Sequence, residues 1–432
     1  RAADLTWNGG NSSWTDSGAW LLDGSSADWI NGSSALFQTG STLIVGSGIS
    51  AAGLLYEGAA VTLNGGSLTL AGNASGSNGG SATLSGTALT LNSANQEDRW
   101  TVRDTSLSGS STLTKTGNGT VTLSGTHTAN GTWNINAGTL VFTGTRDITG
   151  GGQINIASGA VLDASGGRLF HAANYASNWE QPTITLNGGT LKLNQFGYNS
   201  ASLGCLQNNF YALKFSSGTT SRVIISQGYE SGGTGSRGIY IAGWGTTAVI
   251  ELGANQTFTW SSSNGQNFDS IVCESGAGSA LQLDVGENSV FNFDQKFANK
   301  NTANEYGAPT TSNFSGLSLI KSGSGELVIK RANTISSGRV VRVDAGKLTL
   351  DVDNAFGTGS GLGGVNIASG ALLSMNGHTL NNTIEVVSGA TLDMGGSSYA
   401  SLVNWHEGGI LLNTENNKGT LNIMTRTELE LV

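Results

Sequence analysis

Between Leu113 and Phe142 the chain reads LTKTGNGTVTLSGTHTANGTWNINAGTLVF, and it holds three apolar pairs, each spaced two apart: Val121 with Leu123, Trp133 with Ile135, Leu140 with Phe142. Strand side chains alternate between faces, so each pair points one way while the intervening Thr and Asn point the other. Gly117, Gly119, Gly131 and Gly138 stand between the pairs, where a turning backbone favours glycine. The spacing predicts three short strands joined by turns, forming one triangular coil.

The pattern returns at Leu319 to Leu350, LIKSGSGELVIKRANTISSGRVVRVDAGKLTL. Leu327 with Ile329, Val341 with Val343, and Leu348 with Leu350 take the corresponding places. The first pair lies 206 positions after its counterpart (327 − 121) and the last 208 (348 − 140). One turn has therefore gained two residues. A match in strands, turns and inward positions implies a repeated structural unit.

Both stretches resemble the passenger-associated repeat of bacterial autotransporter and related secreted proteins. Leu113, Lys115, Gly117, Gly119, Ala137, Gly138 and Leu140 fit its Leu-x-Lys-x-Gly-x-Gly and Ala-Gly-x-Leu elements. So do Leu319, Lys321, Gly323, Gly325, Ala345, Gly346 and Leu348. The resemblance implies an all-β fold, a right-handed parallel β-helix with roughly three short strands per coil, exported to the cell surface or beyond. It implies no particular activity, because such passengers include adhesins, enzymes and plain stalks.

Composition agrees with that fold. The 432 residues hold 66 Gly but only 2 Pro, whereas flexible glycine-rich chains tend to carry proline too. No extended run has helical period, and short Val/Ile/Leu/Thr segments alternate with Gly, Asn and Ser. Turn phrases recur at Asn64-Gly65-Gly66, Ser158-Gly159, Asn187-Gly188-Gly189, Ser369-Gly370, Ser388-Gly389 and Lys418-Gly419. Their uneven spacing fits coils of about 22 residues whose turns swell into loops, which gives roughly 18 to 20 coils and a rod about 90 Å long. Residues 1–38 hold Trp7, Trp14, Trp20 and Trp29. Such density reads as a cap over the open end of a solenoid core, with a sugar-stacking platform as the alternative. Residues 39–432 read as one continuous parallel β-helix with loop insertions near 166–181, 195–215, 291–314 and 397–407.

Charge narrows the partners. Twenty Lys+Arg against 29 Asp+Glu leave a net −9, and no basic stripe suits nucleic acid or an anionic membrane. No apolar run is long enough to span a bilayer, so no membrane insertion by this segment is expected. The start at Arg1-Ala2-Ala3 fits a mature chain after signal removal, and the end lacks the alternating strands of an outer-membrane barrel. Cys205 and Cys273 lie 68 residues apart (273 − 205), about three coils or roughly 14 Å along a stack. That exceeds disulfide reach unless both sit on protruding loops, so two free or buried thiols are expected.

Catalytic patterns are sparse. Gly-x-Gly-x-x-Gly occurs at Gly233-Gly235-Gly238 and Gly359-Gly361-Gly364, but without the strand-then-helix setting of a phosphate cradle, so both read as turns. His127, His171, His378 and His406 show no metal-ligand spacing. Asp351 and Asp353 would share one strand face, a possible acid pair, although the phrase that follows them matches the loop after the family's repeat. The mixed cluster from Gln96 to Asp104 reads as a salt-bridged surface. No catalytic residue, cofactor or metal is assigned.

Two functions remain open. One is a non-enzymatic secreted or cell-surface stalk, fibre or adhesin. Its terminal Glu428, Leu429, Glu430, Leu431 and Val432 alternate like an uncovered strand, and that edge can stack head to tail on another copy into filaments. The other is a polysaccharide-binding or polysaccharide-degrading protein, in which Tyr175, Trp179, Tyr399 and Trp405 on loops contact glycans. The same aromatics could equally pack on the outer wall. Partners are therefore the chain itself, or host or matrix glycans and proteins.

Overall fold

The computed structural model describes residues 3–9, 12–146, 152–169, 183–193, 213–216, 218–225, 239–241, 245–261, 270–273, 278–299, 317–396, 399–412 and 421–425. Among them there is no helix. The chain divides into two compact units, Arg1–Asn194 with Ser200–Gln207, and Gln195–Asn199 with Asn208–Val432. Each is a stack of parallel strands, and the fold is a parallel β-helix.

In the first unit one wall stacks Ile49–Glu57, Ser67–Leu70, Ala88–Asn92, Thr112–Thr116, Trp133–Ile135, Gln153–Ala157 and Thr183–Asn187. A second stacks Ala74–Ser77, Arg99–Val102, Thr120–Leu123, Thr139–Phe142, Val161–Asp163 and Thr190–Leu193. The third runs from Ser41–Ile44 through Ala60–Asn64 and Ser81–Ser85 to Thr105–Ser108, and Thr126–His127 with Thr145–Arg146 form its short outlying pair.

The inward pairs sit where alternation puts them. Leu113, Val121, Leu123, Trp133, Ile135, Leu140 and Phe142 are all buried, and the Thr and Asn between them face outward. One assignment changes. Val121 pairs with Leu140 in register, and Leu113 with Trp133. The first and third apolar pairs are therefore stacked neighbours in successive coils, not two sides of one triangle. The missing side is Thr126–His127, whose inward residue is polar and so gave no apolar signal.

In the second unit one wall stacks Thr220–Ile225, Thr247–Leu252, Ser279–Val285, Leu317–Ser322, Val340–Val343, Gly364–Ile367, Ile384–Val386, Tyr399–Trp405 and Leu421–Thr425. Another stacks Thr257–Ser261, Val290–Asp294, Glu326–Ile329, Lys347–Leu350, Leu372–Ser374, Thr391–Asp393 and Ile410–Leu412. On the third side Leu213–Phe215, Ile239–Ile241, Ser270–Cys273 and Lys296–Asn299 stack. Past them the amide of buried Asn333 bridges coils, accepting from Phe297 N–H at 2.8 Å and donating to Gln295 O at 2.9 Å.

Two expected loops contain wall strands. Residues 399–405 lie in the ladder, and residues 291–299 are almost wholly strand. Register irregularities between Tyr399 and Asn404 interrupt the two-residue rhythm that would have marked the former.

The tryptophans of residues 1–38 pack together around an antiparallel strand pair. Asp4–Trp7 runs parallel to Ser33–Phe37 but antiparallel to Trp20–Leu22, which in turn pairs antiparallel with Ser25–Ala27. Trp7, Trp14, Trp20 and Phe37 are buried. Ring centroids lie 5.1 Å apart for Trp7–Trp20 and 5.0 Å for Trp14–Trp20. Trp7 Nε1 donates to Ser41 Oγ at 2.9 Å and Trp20 Nε1 to Trp14 O at 2.8 Å, so two of the buried indoles have hydrogen-bond acceptors.

Candidate functional site

The most distinctive local chemistry lies inside the repeat. Lysine normally keeps its ammonium in water, yet Lys115 and Lys321 are fully buried. Lys115 Nζ donates to the carbonyls of Thr116 (2.8 Å), Gly117 (2.8 Å) and Ala137 (3.1 Å). Lys321 Nζ does the same to Ser322 (2.7 Å), Gly323 (2.7 Å) and Ala345 (3.0 Å). An ammonium has three N–H donors, and each is used, two in its own turn and one in the turn of the following coil. Burial brings both lysines down to about 8.

The glycines make that approach possible. Gly138 has φ +62°, and a Cβ there would lie 2.5 Å from Gly117 O and 2.4 Å from Gly119 O. Gly346 repeats this with φ +65° and 2.5 Å to both Gly323 O and Gly325 O. The Leu-x-Lys-x-Gly-x-Gly and Ala-Gly elements are thus two halves of one contact, made between coils and not within one.

Beside it, the short third side of the first unit carries a buried histidine and arginine. His127 packs on Trp133 and Phe142, with ring centroids 5.7 and 5.8 Å away. Arg146 Cζ stands 4.7 Å over the Trp133 ring, and its Nη2 donates to Gly131 O at 2.9 Å. Leu107 N–H donates to His127 Nδ1 at 3.2 Å. Burial pulls His127 down to about 4, a Ser124 backbone contact partly opposes this, and Arg146 adds to it. The ring is therefore neutral at pH 7.

On the outside, the second unit links coils by ion pairs: Lys347–Glu326 (3.0 Å), Lys330–Asp351 (2.7 Å), Arg331–Asp294 (2.7 Å), and Arg222 with Glu251. Three of these pairs lie along the Val290–Asp294, Glu326–Ile329 and Lys347–Leu350 wall, and Arg222–Glu251 lies on the Thr220–Ile225 and Thr247–Leu252 wall. The sequence had not brought the partners together, since they are 21 to 37 positions apart. His378 Nδ1 lies 3.3 Å from Asp353 Oδ1 and its Nε2 3.9 Å from Asp351 Oδ1. The Thr379 N–H and then His378 hold Asp353 below the usual carboxylate range. A general acid needs the opposite shift, so Asp353 is poorly suited to protonating a leaving group. The Gln96–Asp104 cluster holds one ion pair, Arg103–Asp104 at 3.7 Å. Arg99 turns instead to the backbone carbonyls of Gln96 and Asp98.

Of the proposed glycan aromatics, Trp405 is buried, with 6% of its surface exposed, so its ring serves the core and offers no face to a sugar. Tyr399 begins a wall strand. Tyr175, Trp179, Cys205, His171, the Gly233-Gly235-Gly238 turn and the terminal Glu428–Val432 lie outside the described residues. Cys273 ends the strand Ser270–Cys273. The turn at Gly359 and Gly361 has φ +97° and +73° and no helix after it. Among the described residues no three His, Cys, Asp or Glu come together to hold a metal ion.

Compared with known proteins, residues 113–142 match the passenger-associated-transport-repeat family. No curated protein and no solved structure matches the chain significantly. The match covers 30 of the chain's 432 residues, the stretch that builds the Lys115 turn contact, and there the chain carries a passenger-associated-transport-repeat.

Proposed function

We propose that the protein is a non-enzymatic structural segment of a secreted passenger, displayed at the cell surface as a stalk, fibre or adhesin. The observation that carries this reading is where its chemically able side chains are spent. Lys115 and Lys321 are consumed by turn carbonyls, and Asp351 and Asp353 by Lys330, His378 and Thr379. Each of these side chains makes at least one contact that joins one coil to the next. The matched repeat belongs to a family of transported passengers, which supports a secreted or surface location.

Self-association is the partner class we favour. Ile410 and Leu412 are 47% and 40% exposed on Ile410–Leu412, the edge strand of its sheet among the described residues. Exposed apolar side chains on an unpaired edge invite another strand. The N-terminal coil carries antiparallel strands, so head-to-tail growth on it requires those strands to move aside.

Purified protein examined by electron microscopy and ultracentrifugation over a wide concentration range tests the assembly; monodisperse monomers at every concentration count against it. A glycan array with a reducing-sugar assay tests the rest. Sugar release that disappears in Asp351→Asn or Asp353→Asn would replace this reading with a depolymerase.

A further inference from the structure

We propose that Lys115 and Lys321 are register locks, each fixing which coil stacks on which within its own unit. The need for such a device follows from the columns they occupy. Lys115 stands in the inward column Leu91, Lys115, Ile135, Ile156, Leu186. Lys321 stands in Leu283, Lys321, Val343, Ile367, Val386. Over these positions every other member is aliphatic and of similar size, and the columns run on to Ala51 and to Trp405, also apolar. In a solenoid each repeat meets only its neighbours, so a slip by one whole coil would return apolar residues to apolar surroundings. The hydrophobic pattern alone discriminates weakly against it.

A buried ammonium discriminates strongly. Its three acceptors exist together only where the Ala137-Gly138 turn lies over the Gly117-Asn118-Gly119 turn, or Ala345-Gly346 over Gly323-Ser324-Gly325. Anywhere else in the column it would keep the two acceptors of its own turn but lose the third, leaving one buried N–H of the ammonium unsatisfied at a cost of about 1 to 3 kcal/mol or more. Among the described residues no carboxylate forms an ion pair with either nitrogen, and the nearby Asp98 and Asp284 offset the burial of Lys115 and Lys321 only in part. The closest known logic is a single buried polar residue that sets the register of a coiled coil at some cost in stability. The distribution fits too, since among the described residues each compact unit contains one such lysine.

The test uses the full chain. Lys115→Met keeps the length and removes the charge; Ile135→Ala, its neighbour in the column, is a control that destabilises without removing a lock. Both are refolded from denaturant and followed by hydrogen exchange with mass analysis of peptides from each unit. The proposal expects Lys115→Met to refold into more than one exchange population in the first unit, with the second unit as in wild type. Ile135→Ala should be less stable but give a single population. Refolding of Lys115→Met to one population at the wild-type rate overturns the proposal, as does equal heterogeneity in the control.

If the variant does not fold, Lys321→Met poses the same question in the second unit. The wild-type protein also answers without substitution. Refolded at pH 9.5, above the value of about 8 at which the buried ammonium groups lose their protons, it should yield misregistered populations absent from refolding at pH 7. An identical single population at both pH values overturns the proposal.

Discussion

Replacing Gly138 with alanine should be far more damaging than the same change at Gly159, although both glycines have positive φ, +62° and +73°. At Gly159 nothing lies within 4 Å of the new Cβ. The cost there is the left-handed backbone alone, about 1 to 2 kcal/mol for an L-residue. At Gly138 that same cost is joined by a methyl group 2.4 and 2.5 Å from the carbonyl oxygens of Gly119 and Gly117. Backbone cannot swing aside as a flexible side chain would, and forcing extra atoms into packed structure adds about 1 to 3 kcal/mol. Gly117 O is also an acceptor of Lys115, so displacing it loosens a charge-assisted hydrogen bond of roughly 1.5 to 3 kcal/mol. The sum at Gly138 is about 3.5 to 8 kcal/mol when that bond is lost in full, against about 1 to 2 at Gly159. Hydrogen exchange of peptides spanning 112–142, compared among wild type, Gly138→Ala and Gly159→Ala, reads the local opening free energy. Equal losses in the two variants would refute the close approach of successive turns.

Acid should weaken the first unit through His127. Its value falls from 6.5 unfolded to about 4 folded, so between those pH values the unfolded chain binds a proton that the folded chain refuses. Stability is then unaffected above pH 6.5, declines as pH drops from 6.5 to 4, and loses roughly 3 kcal/mol in all; denaturant titrations should show this slope and His127→Leu should flatten it. Burial pushes the Tyr56 hydroxyl well above the ordinary tyrosine range, so ultraviolet titration should find one tyrosine that ionises only when the first coils open. Trp20→Ala removes a fully buried ring from the first coil and should cost about 3 to 5 kcal/mol there, visible as faster exchange of residues 4–37 and little change beyond 60. Asp351→Asn breaks an exposed pair with Lys330 and should shift stability by less than about 1 kcal/mol.

How far the sequence reveals this molecule depends on which residues face inward. Apolar pairs two apart, with glycine between, identify wall strands wherever the inward residues are hydrophobic, as at Leu140 and Phe142. Where the inward residue is polar the signal fails. His127 hid an entire side of the coil, and Lys115 and Lys321 were legible as part of a motif but not as buried cations, because a lysine in a strand ordinarily points to water. The ion pairs on the second unit's wall were illegible for another reason. Coil lengths vary, from 19 residues between Val121 and Leu140 to 38 between Leu281 and Leu319, so which charges meet depends on summed turn lengths. The density of tryptophan before residue 38 was visible at once; that the rings pack beside an antiparallel strand pair was not.

Cysteine cross-linking tests the stacking of coils most directly. Thr114 and Asn134 are register partners on the outer face of successive coils, and Asn155 lies one coil further. Adjacent parallel strands put their Cα atoms about 4.8 Å apart, within disulfide reach, whereas two coils span roughly 9.6 Å, beyond it. With Cys205 and Cys273 replaced by serine, Thr114→Cys with Asn134→Cys should form a disulfide rapidly under mild oxidation, and Thr114→Cys with Asn155→Cys should not. Preferential closure of the second pair, or of neither, would contradict the parallel β-helix.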